Sequence, residues 1–277
     1  MAAAVKIAPA STLAKIAAIF RRDAVVALSY PGNFALGWLS IAVEVIIAWY
    51  ISTLIQPDAK FGAGGEKASY FQFLAINFAF VRFQTAALNS FAEAIRDGQL
   101  TGTLEVVLAT PTSLPVLVLS SGVWSFALTA MQTGVFILVA MLFGLNLSHL
   151  NPLTSIVFLV LTVAAVSPLG VLAAALAMVI KKTGPVEWAS VSTANLFGGV
   201  FVPLASLPVA LQLIGWCLPI THALNGFRAA AAGVPLDRVA GDAIWLAVAT
   251  VVLTPLALWL FVRAVNKARV DGTLAMY

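Results

Sequence analysis

Charge is the scarcest feature of this sequence: Asp, Glu, Lys and Arg make up 9% of 277 residues. Soluble domains carry about 25%. With 61% hydrophobic residues and a mean hydropathy of +1.01, the chain lacks the polar surface that water would require. A water-soluble globular protein is therefore excluded, and the surface must face lipid. Cysteine is nearly absent. Cys217 is the single one, which excludes an intrachain disulfide and a cysteine-based metal site. It lies in an apolar stretch and is expected to serve in packing, as free cysteines usually do.

Catalytic signatures are missing as well. No G-x-x-x-x-G-K-[ST] stretch is present to cradle a nucleotide phosphate. Neither H-E-x-x-H nor a G-x-S-x-G elbow occurs. The two histidines, His149 and His222, each lack a companion ligand in the sequence and are expected to be satisfied or solvated rather than catalytic. No catalytic residue, metal ligand or cofactor is assigned to the chain. Residues 1–19 have scattered basic residues and no compact apolar core, which is not the pattern of a secretory signal. Insertion is expected to proceed through internal spans.

What is present is long apolar chain. A helix needs about 20 residues to cross a hydrocarbon core of roughly 30 Å. On that measure 33–55 is a first span, broken only by Glu44 and closed by Gln56, Pro57 and Asp58. A second, 69–91, is the most polar, with Gln72, Asn77, Arg82, Gln84 and Asn89. The uncharged run from Val106 to Ile180 is too long for one crossing. Turn signals between Gly144 and Pro152 divide it into 115–143 and 153–180. A further charge-free run, 188–227, contains Gly198, Gly199, Pro203, Pro208, Gly215 and Pro219. It predicts a fifth span over 188–202 and then a segment, 203–232, of at least two short helices that dip into the membrane without crossing. Such backbone survives at membrane depth only when buried in protein or lining a wet cavity. The sixth span, 243–262, is bounded by Asp242 and Arg263.

The fold class predicted is thus all-α integral membrane, with six transmembrane helices in one domain over 1–277. Before them, residues 1–30 contain an amphipathic interfacial helix. Leu13, Ile16, Phe20, Ala24 and Ala27 share one face, opposite Ser11, Lys15 and Arg22. Tyr30, Pro31 and Gly32 supply the bend into the first span. The net charge of +4 reflects basic residues flanking apolar blocks, which reads as topology and not as nucleic-acid binding. With both termini inside, the cytoplasmic segments hold Lys6, Lys15, Arg21, Arg22, Arg96, Lys181, Lys182, Arg263, Lys267 and Arg269. Lys60, Lys67, Arg228 and Arg238 fall outside.

Glu44 and Arg82 are charges inside spans, which cost at least about 2.5–3.5 kcal/mol and so usually face the protein interior and pair. Glu44 lies roughly 16 Å from the inner start of its span, and Arg82 about 10 Å from the inner end of its own. Long side chains bridge that difference. The pair either lines a substrate route or locks two helices together.

Between spans two and three, residues 93–111 combine mixed charge, glycines and a short amphipathic helix ended by Pro111. Gly102-Thr103-Leu104-Glu105, followed by Ala109-Thr110-Pro111, resembles the G-T-L-E … s/t-P signature of ABC-2 type permeases, the membrane subunits of type II ABC exporters. A second similarity runs from Gly199 through Pro203, Pro208 and Pro219 to Thr221-His222-Ala-Leu-Asn-Gly-Phe-Arg228. The resemblance covers nearly the whole chain. It implies a coupling helix in which Arg96, Leu100, Gly102, Thr103, Leu104, Glu105 and Pro111 dock on a separate ABC ATP-binding subunit, where ATP and Mg bind. It also implies a homodimer in the bacterial plasma membrane.

Pro203, Pro208, Pro219 and Arg228 are the expected outer gate. Each proline removes a backbone donor, and Thr221 or Asn225 is positioned to take a freed carbonyl. Arg228 is expected near the outer interface, reaching headgroups or pairing with Asp237 or Asp242. Polysaccharide-exporting members often carry a basic, tyrosine-containing run before the first span. Here that stretch is Phe20-Arg21-Arg22-Asp23 followed by an apolar run to Tyr30, which favours a lipid, hydrophobic small molecule or drug over a lipid-linked polysaccharide. A secondary carrier using Glu44 and Arg82, or an intramembrane hydrolase using a histidine, are the rival readings.

Overall fold

The computed structural model describes residues 11–54, 70–100, 102, 116, 120, 122–180, 192–193, 195–201 and 203–270. The first helix, α1 (Thr12–Leu28), starts where the Ser11 hydroxyl accepts the Ala14 N–H at 3.2 Å, a serine N-cap. Ile16, Phe20, Ala24 and Ala27 are half-buried on one face and Arg22 is exposed. Leu13, a turn earlier on the apolar face, is 79% exposed and stands clear of the body. Phe20 anchors α1 edge-on against Trp124, with ring centroids 5.4 Å apart. The Ser29 N–H closes the helix on the carbonyls of Val25 and Val26. Pro31 then opens α2 (Pro31–Leu54), a first-turn position where its missing N–H costs nothing.

The remaining helices are α3 (Tyr70–Leu100), α4 (Val123–Leu142), α5 (Pro152–Ile180), α6 (Val209–Trp216), α7 (Pro219–Ala231) and α8 (Ala240–Val270). Short 3-10 turns, Leu204–Ser206 and Leu236–Val239, precede α6 and α8. Five stretches among the described residues are long and apolar enough to cross a membrane: Ala35–Leu54, Tyr70–Gly98, Val123–Leu142, Pro152–Leu176 and Leu236–Ala268. Of the expected fifth span, 188–202, residues 192–193 and 195–201 are described, and 192–193 are helical. Residues 195–197 are helical as well, and the chain bends through 198–201.

The most polar of these helices is the most enclosed. In α3, 67% of the apolar window is buried, against 17% in α2, α4 and α8. Lipid cannot satisfy Asn77 or Gln84, so the helix carrying them takes the middle, against α2, α4, α5 and α7. By contrast, α2 buries only a stripe at Ile41, Val45 and Ala48 and exposes Leu36, Leu39, Val43, Ile46, Ile47 and Tyr50. Apolar exposure of that extent belongs in lipid.

Close backbone contact joins α3 to α5. A Cβ added at Gly170 would lie 2.2 Å from the Ala87 carbonyl oxygen and 2.8 Å from that of Leu88, a small-residue crossing of the kind that lets membrane helices approach. Toward one end, Ala92 and Ile95 of α3 pack with Ala174 and Met178 of α5 and with Phe261, Val265 and Ala268 of α8. This packing corrects two boundaries. The second helix does not end at Phe91 but runs on to Leu100, and the last passes Val262 to Val270. Both extensions carry apolar residues that bury against each other, and Ala-Glu-Ala-Ile-Arg is good helix-forming sequence. Residues 93–100 therefore belong to a long helix and not to a separate short one. The third helix begins at Val123, after Gly122, inside the expected 115–143.

At the opposite end, the turn between α4 and α5 packs on the turn after α7. The Asn151 N–H donates to the Ala230 carbonyl at 2.8 Å, and the Asn151 side chain accepts the Thr154 N–H at 3.2 Å. Gly233, at φ +81°, is pressed on the His149 carbonyl, where a Cβ would sit 2.8 Å away.

Candidate functional site

That second end holds the segment that sequence marked as an outer gate. Pro203 precedes the turn Leu204–Ser206, Pro208 caps α6, and Pro219 is the first residue of α7. The helices have 8 and 13 residues, about 12 and 20 Å of rise, too short to cross a bilayer. The Thr221 hydroxyl donates to the Gly215 carbonyl at 2.6 Å across their junction. Gly215 itself is obligatory there, because a Cβ would lie 2.5 Å from the Phe197 carbonyl oxygen.

Just before the hairpin the chain bends at Gly198–Phe201, with Gly199 at φ +80°, a conformation that favours glycine. Three consecutive carbonyls lose their helical donors in this bend, and three side chains replace them. Arg228 Nη2 donates to the Gly199 carbonyl, Asn77 Nδ2 to Val200 at 2.6 Å, and the Tyr70 hydroxyl to Phe201 at 3.2 Å. Asn77 also accepts Arg228 Nε on its Oδ1 at 2.8 Å. The guanidinium lies 4.5 Å over the Phe73 ring, within cation–π range.

The gate cation is thus placed otherwise than sequence suggested. Arg228 pairs with neither Asp237 nor Asp242; its fork is used on the Gly199 carbonyl and the Asn77 amide oxygen of α3. Asp237 is exposed, and Asp242 is taken by His222. Sequence reasoning missed Asn77 and Tyr70 as parts of this cradle. The usable signal was an asparagine in an apolar helix together with a glycine pair that breaks another, since each needs a partner.

The two charges within spans meet. Arg82 Nη2 donates to Glu44 Oε2, joining α3 to α2, and the guanidinium lies 5.2 Å from the Phe136 ring centroid on α4. Glu44 is 35% exposed and Arg82 15%, so the carboxylate end opens to the outward side of α2. Arg82 Nε and the nearby helix α4 hydroxyl of Thr133 are buried without a hydrogen-bond partner among the described residues.

Of the docking residues, Arg96 and Leu100 are exposed on the last turns of α3, and Gly102 follows at φ +67°. Thr103, Leu104, Glu105 and Pro111 lie outside the described residues. Cys217, expected to be packed, is exposed where α6 ends. His149 is exposed, whereas His222 is buried and bonded on both ring nitrogens, to Asp242 and to the Trp216 carbonyl. Among the described residues no cluster of His, Cys, Asp and Glu could hold a metal ion.

The arrangement is a bundle of spanning helices whose polar interactions fasten an irregular hairpin at one end, with no assembled nucleophile, base or metal centre among the described residues. No individual curated protein matches the chain. The family model described as ABC-2 type transporter matches residues 15–231, well over half of the chain, and the protein therefore belongs to the ABC-2 type transporter family, as a membrane-spanning permease component of an ABC transporter.

Proposed function

We propose that this chain forms the translocation path of an ATP-driven exporter for a lipid, hydrophobic small molecule or drug. It works as a homodimer in the bacterial plasma membrane, with both termini cytoplasmic. A separate ATP-binding subunit supplies ATP and Mg chemistry. The observation that carries this reading is the continuity of α3. One helix of 31 residues, about 46 Å of rise, runs from Arg96 and Leu100, beside the docking segment, to Tyr70 and Asn77, which hold the bent carbonyls at the other end. A push received near residues 100–111 is delivered along a stiff rod to the hairpin 203–232, the outer gate in this reading.

Two further features support the orientation and the count of crossings. Arg21, Arg22, Arg96, Arg263 and Lys267 gather toward the end where α1 lies and where α3 and α8 finish, as the positive-inside rule expects of the cytoplasmic side. The chain also leaves α5 at that end and is described again from residue 192, reaching Gly199 beside Arg228 at the other. This supports the proposal of a sixth crossing between them.

Co-reconstitution with a candidate ABC ATP-binding subunit tests the proposal. ATP-dependent movement of an amphiphile out of the cytoplasmic leaflet is expected. Glu105→Arg should lower transport-coupled ATP hydrolysis without affecting insertion. Gradient-driven transport by this chain alone would refute the reading in favour of a secondary carrier. Stimulation by lipid-linked polysaccharide alone would overturn the substrate class.

A further inference from the structure

His222 lies on α7, outside the five spanning helices, between two tryptophans. Trp245 of α8 stacks on the imidazole with centroids 4.3 Å apart and planes 20° from parallel. Trp216, the last residue of α6, lies 5.5 Å away. Nδ1 is 2.6 Å from Asp242 Oδ1, and Nε2 is 2.9 Å from the Trp216 carbonyl oxygen. Both partners are acceptors: a carboxylate and a carbonyl have lone pairs and no proton to give. A neutral imidazole has one N–H and one lone pair, so it leaves one contact with lone pair facing lone pair.

The line from Asp242 through His222 to Trp216 therefore needs two protons. An ordinary Asp carboxyl holds a proton below about pH 3.9 and an ordinary imidazole below about 6.5. The ring is the more basic of the two, so the second proton belongs to His222. The stacked Trp245 face favours the resulting imidazolium.

We propose that His222 is a proton-binding clamp. As an imidazolium it ties the end of α6 to the start of α8 and locks the outer hairpin; losing its proton releases one of the two ties. The clamp deepens the outer-gate reading and rests on it only for its consequence in transport.

The surroundings leave Asp242 as the controlling charge. Neither α6 nor the described length of α5 carries an acidic or basic residue. Asp237 and Arg238, in the turn before α8, are exposed. Arg228 on α7 is committed to Asn77 and Gly199, and Arg82 on α3 to Glu44. The other titratable groups of α3 are Tyr70, bonded to Phe201, and Glu93, Arg96 and Asp97 toward its far end; Arg263, Lys267 and Arg269 occupy the far end of α8. Cys217, next to Trp216, is exposed. Burial pulls the imidazole pKa down, but the Asp242 hydrogen bond, the Trp216 carbonyl and the carboxylate charge outweigh it, leaving it above the ordinary 6.5. A raised pKa makes the clamp complete below pH 6.5 and loses it as pH rises through the folded value.

Nitrogen-15 NMR of the full chain in lipid nanodiscs tests this, with His149→Gln leaving one imidazole. Both ring nitrogens should be protonated at about pH 6, with a midpoint above the ordinary 6.5 that falls by about one unit, tenfold in proton affinity, in Asp242→Asn. A spin label on Cys217 should gain mobility over the same interval, and His222→Gln should abolish the change. A neutral imidazole at pH 6, or an unchanged pH response in His222→Gln, overturns the clamp. Should His222→Gln fail to insert, the His149→Gln spectrum alone decides. Neither readout involves transport, so a chain that titrates as described but never transports with its ATPase refutes the permease proposal and not this one.

Discussion

Asn77 serves two partners at the hairpin end of the bundle. It donates to a carbonyl in the bent segment and accepts from the buried Arg228, so one amide serves both partners. Asn77→Ala leaves a carbonyl and a guanidinium N–H buried and unpaired, at about 1–3 kcal/mol each. The expected result is a melting temperature at least about 5 °C lower in nanodiscs; an unchanged value would mean that water or lipid replaces the amide without loss. Glu44 and Arg82 call for a cycle and not a single substitution. Removing one partner strands a charge, whereas removing both removes the problem. Arg82→Met should therefore destabilise more than the double variant Glu44→Met with Arg82→Met. A double variant as unstable as the sum of the singles would show that the two charges are supported separately. Transport measured in the same variants then separates a helix lock from a substrate contact.

At the scale of elements, the bundle is built around the crossing of α3 and α5. Gly170 is pinned there by backbone oxygens, which cannot swing aside as a side chain can. Gly170→Val should force the helices apart and cost more than the roughly 1–3 kcal/mol of ordinary overpacking, read as lost yield of folded protein on size exclusion. Gly134→Ala on α4 is the control, because nothing lies within 4 Å of its added Cβ; it should be neutral or slightly stabilising. Equal yields from the two variants would remove the crossing from its central place. The helix limits teach a related lesson. Prolines at 31, 203, 208 and 219 mark starts or breaks that were readable from the sequence. The ends at Leu100 and Val270 were not, because they depend on which residues find a neighbour to bury against.

For the whole molecule, the question is which segments face which side. A cysteine-accessibility scan over 203–232, in a Cys217→Ala background, is expected to give labelling from outside at both ends of the hairpin and protection between them. Labelling of one end from the cytoplasm only would make the segment a true crossing and would overturn the six-span proposal. The 15–231 match and the five apolar helices place the chain as a membrane permease component irrespective of that result.

Composition and periodicity by themselves determined that this chain lives in lipid, roughly where its long apolar helices lie, that the hairpin is broken, and that no nucleotide motif is present. These follow from local rules: the number of apolar residues needed to cross, the donors that prolines lack, and the placement of Lys and Arg. Tertiary structure decided the pairings. Arg228 could have met a headgroup, Asp237 or Asp242, and each was within its reach in sequence terms. It meets Asn77 and Gly199 because α7 packs between α3 and α5, and that placement depends on Gly226 accepting the Phe158 ring and on the close contact of α3 with α5. Once Arg228 is taken inward, Asp242 is left for His222. Partner choice among polar groups is a property of three-dimensional neighbours, and no spacing along one helix specifies what stands across from it.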